Sequence, residues 1–307
     1  MAKMYGKVYL KDCIVPSSEG MLSIASSAVL YGLSVYTVFP VSLGSSNKLL
    51  AFRLGDHFSR LIDSAKIIGL DTFEKEWNYG LFEKAVKDLV SENSVKGDVY
   101  IRATVHATAQ IAGTRSRGLD TALSMFIYDA EPILKPAGSR VKISAWRRTS
   151  DMAIPSRAKV NGAYVNSVLA KQDALDSGYD DCIFLDSLGH VCELSAANIF
   201  IVRKGVIYTP DTSSDILEGI NRRSVIELLK NNLNMDVVER AIDFTELYLA
   251  DEVFATGTSA NIAPIVHIDG RDVADGKPGK VAKQLQRLHI DLRIGAVKGY
   301  EGWVSEV

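Results

Sequence analysis

The spacing of apolar residues predicts that the first part of the chain mixes strands with amphipathic helices. Residues 34–41 are β-branched and aromatic, which is typical of a strand, and the turn residues 44–47 follow them. Beyond Gly55, apolar residues recur at helical spacing and predict one buried face. The predicted strands are 7–10, 13–15, 34–41, 49–52, 98–105 and 123–128, and the predicted helices begin near Gly55 and cover 82–90.

A short stretch with two prolines and a glycine, within residues 130–139, predicts an interdomain linker. After it, short strands and tight turns predict a run of antiparallel pairs between residues 182 and 208. The predicted strands are 141–146, 182–186, 191–193, 199–202, 206–208, 252–256 and 262–268, and the predicted helices are 164–177, 222–232 and 279–288. We therefore predict a small N-terminal α/β domain over 1–129 and a larger C-terminal domain over 140–307. The larger domain is mainly antiparallel β with flanking helices, so the fold is α/β of the α+β type.

The composition narrows the classes of function. The chain has 307 residues, 47% hydrophobic and 23% charged, which is long enough for two globular domains. A net charge of −2 gives no basic field for nucleic acid or an anionic membrane, and we expect a small-molecule substrate. The first residues lack the apolar core of a signal peptide, and no apolar run has the length of a membrane span. Three cysteines without metal-ligand spacing predict reduced thiols in a cytoplasmic protein that binds no metal.

Lys159 is the most informative residue for chemistry. It stands between a Pro-Ser break and a predicted helix, and small residues flank it. Tyr164 follows five positions later, and Glu193 precedes the small and polar stretch 195–198. A lysine amine can form a Schiff base with an aldehyde cofactor, and a carboxylate can tune a ring nitrogen. Taken singly, Lys159 and Glu193 are more typical of a solvated surface than of a site, so the hypothesis depends on their combination.

Three further features would suit a phosphate group. Residues 219–221 open a predicted helix and offer backbone N–H groups to an anion. Residues 257–260 follow a predicted strand and form a second possible anion-binding turn. Arg60 carries a guanidinium that can bond phosphate oxygens in pairs. Each feature alone is also typical of an ordinary helix start, an ordinary turn or a surface arginine.

In chain order, these residues resemble the cofactor set of the class IV aminotransferases, the fold type IV family of pyridoxal phosphate enzymes. The resemblance is closest to the branched-chain amino acid aminotransferases. It extends over nearly the whole chain and includes the run Ile216-Leu217-Glu218-Gly219-Ile220-Asn221-Arg222. The residues that it assigns to the cofactor are Arg60, Lys159, Tyr164, Glu193, Leu217, Gly219, Ile220, Asn221 and Thr258.

The resemblance implies a role for each of these residues. Lys159 would hold pyridoxal 5′-phosphate as a Schiff base and then move the proton of the substrate. Glu193 would face the pyridine nitrogen, Tyr164 the phenolic oxygen, and Leu217 one face of the ring. The phosphate would be held by Arg60, by residues 219–221 and by the turn at Thr258. The amino group would pass through pyridoxamine phosphate to 2-oxoglutarate.

The resemblance also assigns a substrate pocket, but here the chain departs from the family pattern. The pocket residues are Tyr31, Tyr36, Val38, Tyr100, Arg102, Thr258 and Ser259. Arg102 favours a substrate carboxylate and therefore a branched-chain L-amino acid. Val38 and Pro40, however, replace a glycine and an arginine of those enzymes. Strand 36–41 is more similar to (R)-selective amine transaminases.

Several alternatives and partners follow from the resemblance. An (R)-amine or D-amino acid transaminase is the second hypothesis, and an aminodeoxychorismate lyase on the same scaffold is the third. A binding protein without activity is disfavoured because Lys159 and Glu193 are both present. The partners would be amino acids or amines and keto acids, with a homodimer or higher homo-oligomer as the assembly. Arg115 or Arg117 in loop 112–118 would either reach a pocket or stay solvated.

Overall fold

The structure, a computed structural model, describes residues 3–307 and divides into two compact units. Unit 1 comprises the chain up to Glu131 together with Ala158–Gly162 and Asp291–Val307. Unit 2 comprises Pro132–Arg157 and Ala163–Ile290. The first passage from one unit to the other falls inside the predicted linker. The two later segments of unit 1 lie within the range that the sequence pattern places in the C-terminal domain.

The helices and strands are numbered here in chain order. The helices are α1 Ser27–Tyr31, α2 Leu54–Ile67, α3 Phe73–Glu76, α4 Tyr79–Glu92, α5 Tyr164–Asp176, α6 Ile220–Leu233 and α7 Lys280–Arg293. The strands are β1 Lys7–Leu10, β2 Cys13–Pro16, β3 Ser34–Leu43, β4 Leu49–Phe52, β5 Val99–Ala107, β6 Thr121–Asp129, β7 Ser139–Ile143, β8 Asp181–Leu185, β9 Val191–Leu194, β10 Asn198–Arg203, β11 Val206–Thr209, β12 Val237–Glu239, β13 Glu252–Gly257, β14 Asn261–Ile268, β15 Arg271–Asp272 and β16 Val304–Glu306. Short 3₁₀ helices cover Ser17–Glu19, Phe244–Leu249 and Glu301–Trp303.

Unit 1 is built on a seven-stranded antiparallel sheet in the order β16-β4-β3-β5-β6-β1-β2. Side chains of a strand alternate between its two faces, so the sequence pattern of β3 separates them. Phe39 is fully buried on one face and packs edge-on against Phe82 of α4. Tyr36 and Val38 lie on the opposite face, where Val38 pairs directly with Arg102 of β5. One face is therefore the core, and the other carries polar and aromatic groups.

Unit 2 contains a nine-stranded sheet whose central strands close on themselves. Strands β10, β13, β14, β7, β8 and β9 follow one another, and β9 pairs again with β10. Only the β7–β8, β7–β14 and β11–β12 pairs are parallel among the described strand pairs. Every residue of β8 and of β9 is buried, as a closed sheet with covered faces requires. The prediction of a mainly antiparallel C-terminal domain with flanking helices is confirmed.

Most boundaries agree with the predicted elements, with one overextension. The predicted strand 141–146 ends at Ile143, because the Ser144 hydroxyl accepts a hydrogen bond from the Trp146 N–H at 3.0 Å and turns the chain. The sequence pattern did not predict the short elements α1, α3, β12, β15 and β16, because each is too short to show a periodic pattern. Within residues 3–307, no helix combines the length and apolarity needed to cross a membrane. The three cysteines are free thiols.

Candidate active site

Lys159 lies in a five-residue segment, 158–162, that pairs with the first half of β3. The Tyr36 N–H donates to the Lys159 carbonyl at 2.9 Å, and the Asn161 N–H donates to the Ser34 carbonyl at 2.9 Å. Hydrogen bonds of this kind join neighbouring strands, so they fix the backbone on both sides of Val160. The lysine is thus carried by an extension of the sheet.

A close backbone contact limits the residues beside Lys159. A Cβ added to Gly32 would lie 3.0 Å from the Cα of Gly162, and Gly32 has a φ of +65°. Both the space and the backbone conformation therefore require glycine at position 32. The sequence pattern predicts that small neighbours of Lys159 make room for a planar ligand. For Gly162, the structure adds that it packs against Gly32.

Ser64 of α2 links Arg60 to the segment of Lys159. Its hydroxyl donates to the Arg60 carbonyl at 2.7 Å and accepts from the Lys159 N–H at 3.1 Å. Arg60 Nη2 donates to the Thr37 hydroxyl at 3.3 Å, and that hydroxyl lies 2.7 Å from Nδ1 of His57. Two residues that are 99 positions apart are therefore positioned by one buried serine.

The ring of Tyr36 lies within cation–π distance of two basic groups. Its centroid is 3.6 Å from Arg102 Cζ and 4.8 Å from Lys159 Nζ. Arg102 Nη2 also donates to Asn161 Oδ1 at 2.6 Å. Among residues 3–307, no Asp or Glu oxygen lies within 4.0 Å of the Arg102 guanidinium. A partly buried cation with only neutral partners is suited to bind an incoming carboxylate.

The register of unit 1 brings four of the predicted substrate residues onto one face of the sheet. Tyr36 and Val38 come from β3, and Tyr100 and Arg102 come from β5. Strand β6 adds two aromatic residues that the sequence interpretation missed, Phe126 opposite Arg102 and Tyr128 opposite Tyr100. Alternation along β6 would have revealed them only once the strand pairing was known.

His106 lies on the same face of β5 as Arg102, four residues along the strand. Its Nε2 is 2.8 Å from the Ser124 hydroxyl. Burial, with a smaller contribution from the charge of Arg102, lowers the pKa of His106 from 6.5 to about 4. Near neutral pH, His106 is therefore uncharged, and Arg102 supplies the positive charge on this face.

Two predicted features lie outside the strands. Tyr31 ends α1 with 45% of its surface exposed, and its hydroxyl accepts from the Gly113 N–H at 3.2 Å. Arg115 and Arg117 are both exposed in the loop that joins β5 to β6. Their assignment to a pocket stays a prediction.

In unit 2, Glu193 is a buried carboxylate with three defined donors. Its Oε1 lies 2.8 Å from Arg148 Nη2, and its Oε2 accepts from Asn198 Nδ2 at 2.9 Å and from the Leu217 N–H at 3.2 Å. One cation and two neutral donors stabilise the charged form of the carboxylate. Asn198 belongs to the stretch 195–198 that the sequence pattern predicts to line a site, whereas Arg148 was not predicted as a site residue because only the fold brings it to Glu193.

Asn198 also fixes the chain from Leu217 to Gly219. Its Nδ2 donates to the Leu217 carbonyl at 2.9 Å as well as to Glu193. A Cβ added to Gly219 would lie 2.0 Å from Asn198 Oδ1. Gly219 therefore has no room for a side chain, and this position directly before α6 requires glycine.

The N-terminus of α6 and the turn after β13 are joined in a way that suits an anion. No side chain caps α6, and the first N–H groups of a helix have no partner within it. Asn221 Nδ2 donates to the Gly257 carbonyl at 2.8 Å, which ties the helix to the turn of Thr258 and Ser259. Within residues 3–307, Asn221 Oδ1 and Thr256 Oγ1 are buried without a hydrogen-bond partner. The Thr256 hydroxyl can donate to an anion, whereas the Asn221 oxygen can only accept from a group that donates.

Tyr164 is the first residue of α5, in unit 2, and is partly buried. The structure thus groups the predicted residues within each unit. Unit 1 holds Arg60, Lys159 and the β3 and β5 residues, and unit 2 holds Tyr164, Glu193 and residues 217–221 with the 258–259 turn. Over the part of the chain that is described, no three His, Cys, Asp or Glu residues are grouped to hold a metal ion.

Comparison with known proteins assigns this arrangement to a family. Residues 34–268 match the family model of the class IV amino-transferases. A probable branched-chain-amino-acid aminotransferase of Aquifex aeolicus is 37% identical over 97% of this chain and 96% of its own length. The branched-chain aminotransferase of Thermoproteus uzoniensis, solved with norvaline, has a TM-score of 0.92 at 33% identity and 99% coverage of both chains. The branched-chain amino acid aminotransferase of Thermobaculum terrenum, solved in its PLP form, has a TM-score of 0.91 at 32% identity and 98% coverage of both chains.

The chain belongs to the class IV aminotransferases, and it is therefore a pyridoxal-phosphate-dependent enzyme with the type IV fold. Its residues fit that cofactor. Glu193 offers a buried anion for a protonated ring nitrogen. The uncapped start of α6 and the unpartnered Thr256 hydroxyl offer hydrogen-bond donors near the Thr258 turn.

Proposed function

We propose that the enzyme moves the amino group of a branched-chain L-amino acid to 2-oxoglutarate, which yields the branched-chain 2-oxo acid and L-glutamate. The observation that carries this proposal is Arg102, a partly buried cation without a carboxylate partner among the described residues. Both substrates bear a carboxylate that it would bind. The names of the relatives support the same class of substrate.

Four residues would hold the reactive part of the cofactor. When bound, pyridoxal phosphate supplies an aldehyde that bonds amines and a ring that accepts an electron pair. We assign its covalent attachment to Lys159 Nζ, its ring nitrogen to Glu193 and its phenolic oxygen to Tyr164. Leu217 would pack against one ring face, since its backbone is held on both sides by Glu193 and Asn198.

The phosphate group would bind to backbone N–H groups and to one guanidinium. We assign it to the N–H groups of Ile220 and Asn221, to the Thr258 turn and to Arg60. Gly219 belongs to this set because it lets the chain pass Asn198 directly before the helix. Ser64 would hold the backbones of Arg60 and Lys159 at a fixed separation through its two hydrogen bonds.

Lys159 would also be the residue that moves a proton. In this role Lys159 Nζ would take the proton from the substrate Cα and would return it at the end of the transfer. The sheet-like hydrogen bonds around Lys159 would keep its backbone fixed during this transfer. Tyr36, 4.8 Å from Nζ at its ring centroid, would limit the positions of the amine.

Half-reaction spectroscopy tests the proposal. The cofactor-loaded enzyme is mixed in turn with L-leucine, D-alanine and (R)-1-phenylethylamine, and the absorbance of the bound cofactor is followed. We expect fast bleaching with L-leucine alone, and 2-oxoglutarate should restore the spectrum. Fast bleaching by D-alanine or by the (R)-amine, with none by L-leucine, contradicts the proposal.

An (R)-amine or D-amino acid transaminase is the second candidate, and one observation favours it. Val38 lies directly opposite Arg102, and Pro40 lies opposite Tyr100, on the face that carries the substrate residues. These two side chains take the places of the glycine and arginine that branched-chain enzymes usually carry. They would reshape the side-chain pocket without removing the carboxylate-binding cation.

We also expect a homodimer. Helix α5 exposes Val165, Val168 and Leu169, which are 64%, 64% and 41% accessible and lie on one helical stripe. Apolar stripes of this kind are usually covered by a partner. Light scattering coupled to gel filtration should give twice the mass of 33.5 kDa, and a monomeric mass would contradict the expectation.

A further inference from the structure

Asn161 joins the segment of Lys159 to two strands of unit 1. Its N–H donates to the Ser34 carbonyl at 2.9 Å, and its Nδ2 donates to the Ser34 hydroxyl at 2.7 Å. Its Oδ1 accepts from Arg102 Nη2 at 2.6 Å. Because an arginine can only donate, the carbonyl oxygen of the amide has to face it, and the amide orientation is determined.

Arg102 is held by two contacts of different kinds. Tyr36 supports one face of the guanidinium at 3.6 Å, and Asn161 receives one of its five N–H donors. A free arginine side chain has many rotamers, and binding a ligand would cost the entropy of choosing one. In this structure the choice is made before a ligand arrives, and the remaining N–H groups stay available to a carboxylate.

Asn161 also links the position of Arg102 to the position of Lys159. It is two residues from Lys159, and the backbone hydrogen bonds of the two residues attach to Ser34 and Tyr36 of β3. Any shift of the segment would move the Arg102 contact and the lysine together. One side chain therefore couples the position of the carboxylate-binding cation to that of the amine-bearing residue.

We infer that Asn161 is a positioning residue that holds the Arg102 guanidinium in place for the substrate carboxylate. This inference rests on the proposed function. Asn161 does not touch the substrate in this role, and its effect passes through the guanidinium. Loss of Asn161 should therefore weaken the binding of carboxylates while the chemistry at Lys159 continues. This role sets it apart from residues that only stabilise the fold.

Steady-state kinetics of the holoenzyme test the inference. For Asn161→Ala we expect KM for the acid substrates to rise about tenfold, as for the loss of one charge-assisted hydrogen bond, with kcat within about twofold of wild type. The dissociation constant of glutarate, a non-reacting dicarboxylate, should rise by a similar factor. Asn166→Ala is the matched control, because it removes an asparagine whose Nδ2 donates to the Arg147 carbonyl, away from Arg102. It should keep the wild-type KM.

A double-mutant cycle separates positioning from general damage. In an Arg102→Gln background, Asn161→Ala should have no further effect on KM or on glutarate binding, because the group it positions is gone. An equal rise in both backgrounds would overturn the inference, and so would a fall in kcat at unchanged KM. The glutarate measurement does not depend on which amine is the donor. A wild-type enzyme that rejects L-leucine would therefore refute the proposed substrate and leave this test intact.

Discussion

Arg148 and Glu193 form a buried ion pair in which Nη2 lies 2.8 Å from Oε1. Only 13% and 8% of the two side chains are exposed. The Arg148 Nε also donates to the Asp215 carbonyl at 3.1 Å, so two residues hold the guanidinium in place. A buried charge is costly without its partner, and the arginine therefore supports both the fold of unit 2 and the anionic state of the carboxylate.

Replacing Arg148 should be strongly destabilising. For Arg148→Met we expect a loss of about 3–5 kcal/mol in the free energy of unfolding, because Glu193 remains buried without its cation. We also expect weaker retention of pyridoxal phosphate. Urea unfolding of the loaded and unloaded protein, with a fluorescence titration of the cofactor, measures both effects.

Arg157→Met is the control for this prediction. Arg157 forms ion pairs with Asp151 and Glu218, but its own side chain is 43% exposed. Exposed pairs contribute about 0–1 kcal/mol, so this variant should remain close to wild type. Equal losses in the two variants would argue against a special role for the buried pair.

Lys159→Ala should abolish turnover without unfolding the protein. The backbone bonds of residue 159 do not need its side chain, and the segment should stay paired with β3. After incubation with pyridoxal phosphate and gel filtration, the variant should lack the covalent cofactor band. Lys142→Ala, which loses a partly exposed ion pair with Asp173 and a hydrogen bond to the Ser177 hydroxyl, serves as control and should keep band and activity. Wild-type turnover by Lys159→Ala would refute the assignment.

Gly219→Ala should disturb the cofactor site through Asn198. The added methyl group would fall 2.0 Å from Asn198 Oδ1, so the amide or the start of α6 has to move. We expect a loss of about 1–3 kcal/mol from overpacking, together with weaker cofactor binding. Gly97→Ala adds the same methyl group where no atom lies within 4 Å. If both variants bind the cofactor like wild type, the close approach at Gly219 does not matter for cofactor binding.

His106 should make stability depend on pH. Its folded pKa of about 4 lies below the ordinary value of 6.5, so the unfolded chain takes up a proton first as the pH falls. Stability is therefore lost between about pH 6.5 and pH 4, with about 2 kcal/mol gone by pH 5. Unfolding curves from pH 7.5 to pH 5 should show this loss in wild type and a smaller one in His106→Gln. Parallel curves for the two proteins would contradict the shift.

The sequence carried enough information for the family and for most elements, but not for tertiary partners. Lys159 and Glu193 could be predicted as site residues because a long ordered set of family residues surrounds them. Arg148 is 45 positions from Glu193, and no local pattern connects the two residues. The same holds for Asn161 and Arg102, which meet only because segment 158–162 pairs with β3. Their contact depends on the pairing of strands, which no local sequence pattern shows.

Sequence periodicity also could not show that unit 1 returns twice to later parts of the chain. Segment 158–162 is too short to carry a pattern of its own, and β16 has only three residues. Both are recruited by the unpaired edges of existing strands. Such additions follow from geometry that exists only after the main sheet has formed.

The position of β16 has a consequence for biosynthesis. Residues 304–306 cover β4, and the Arg53 N–H donates to the Trp303 carbonyl at 2.6 Å. At about 5–20 residues per second, a ribosome would finish β16 roughly ten to thirty seconds after β6, the last strand in the first segment of unit 1. Throughout that time β4 is an open edge that another nascent chain can pair with. A chaperone that shields strand edges should therefore raise the yield of folded protein.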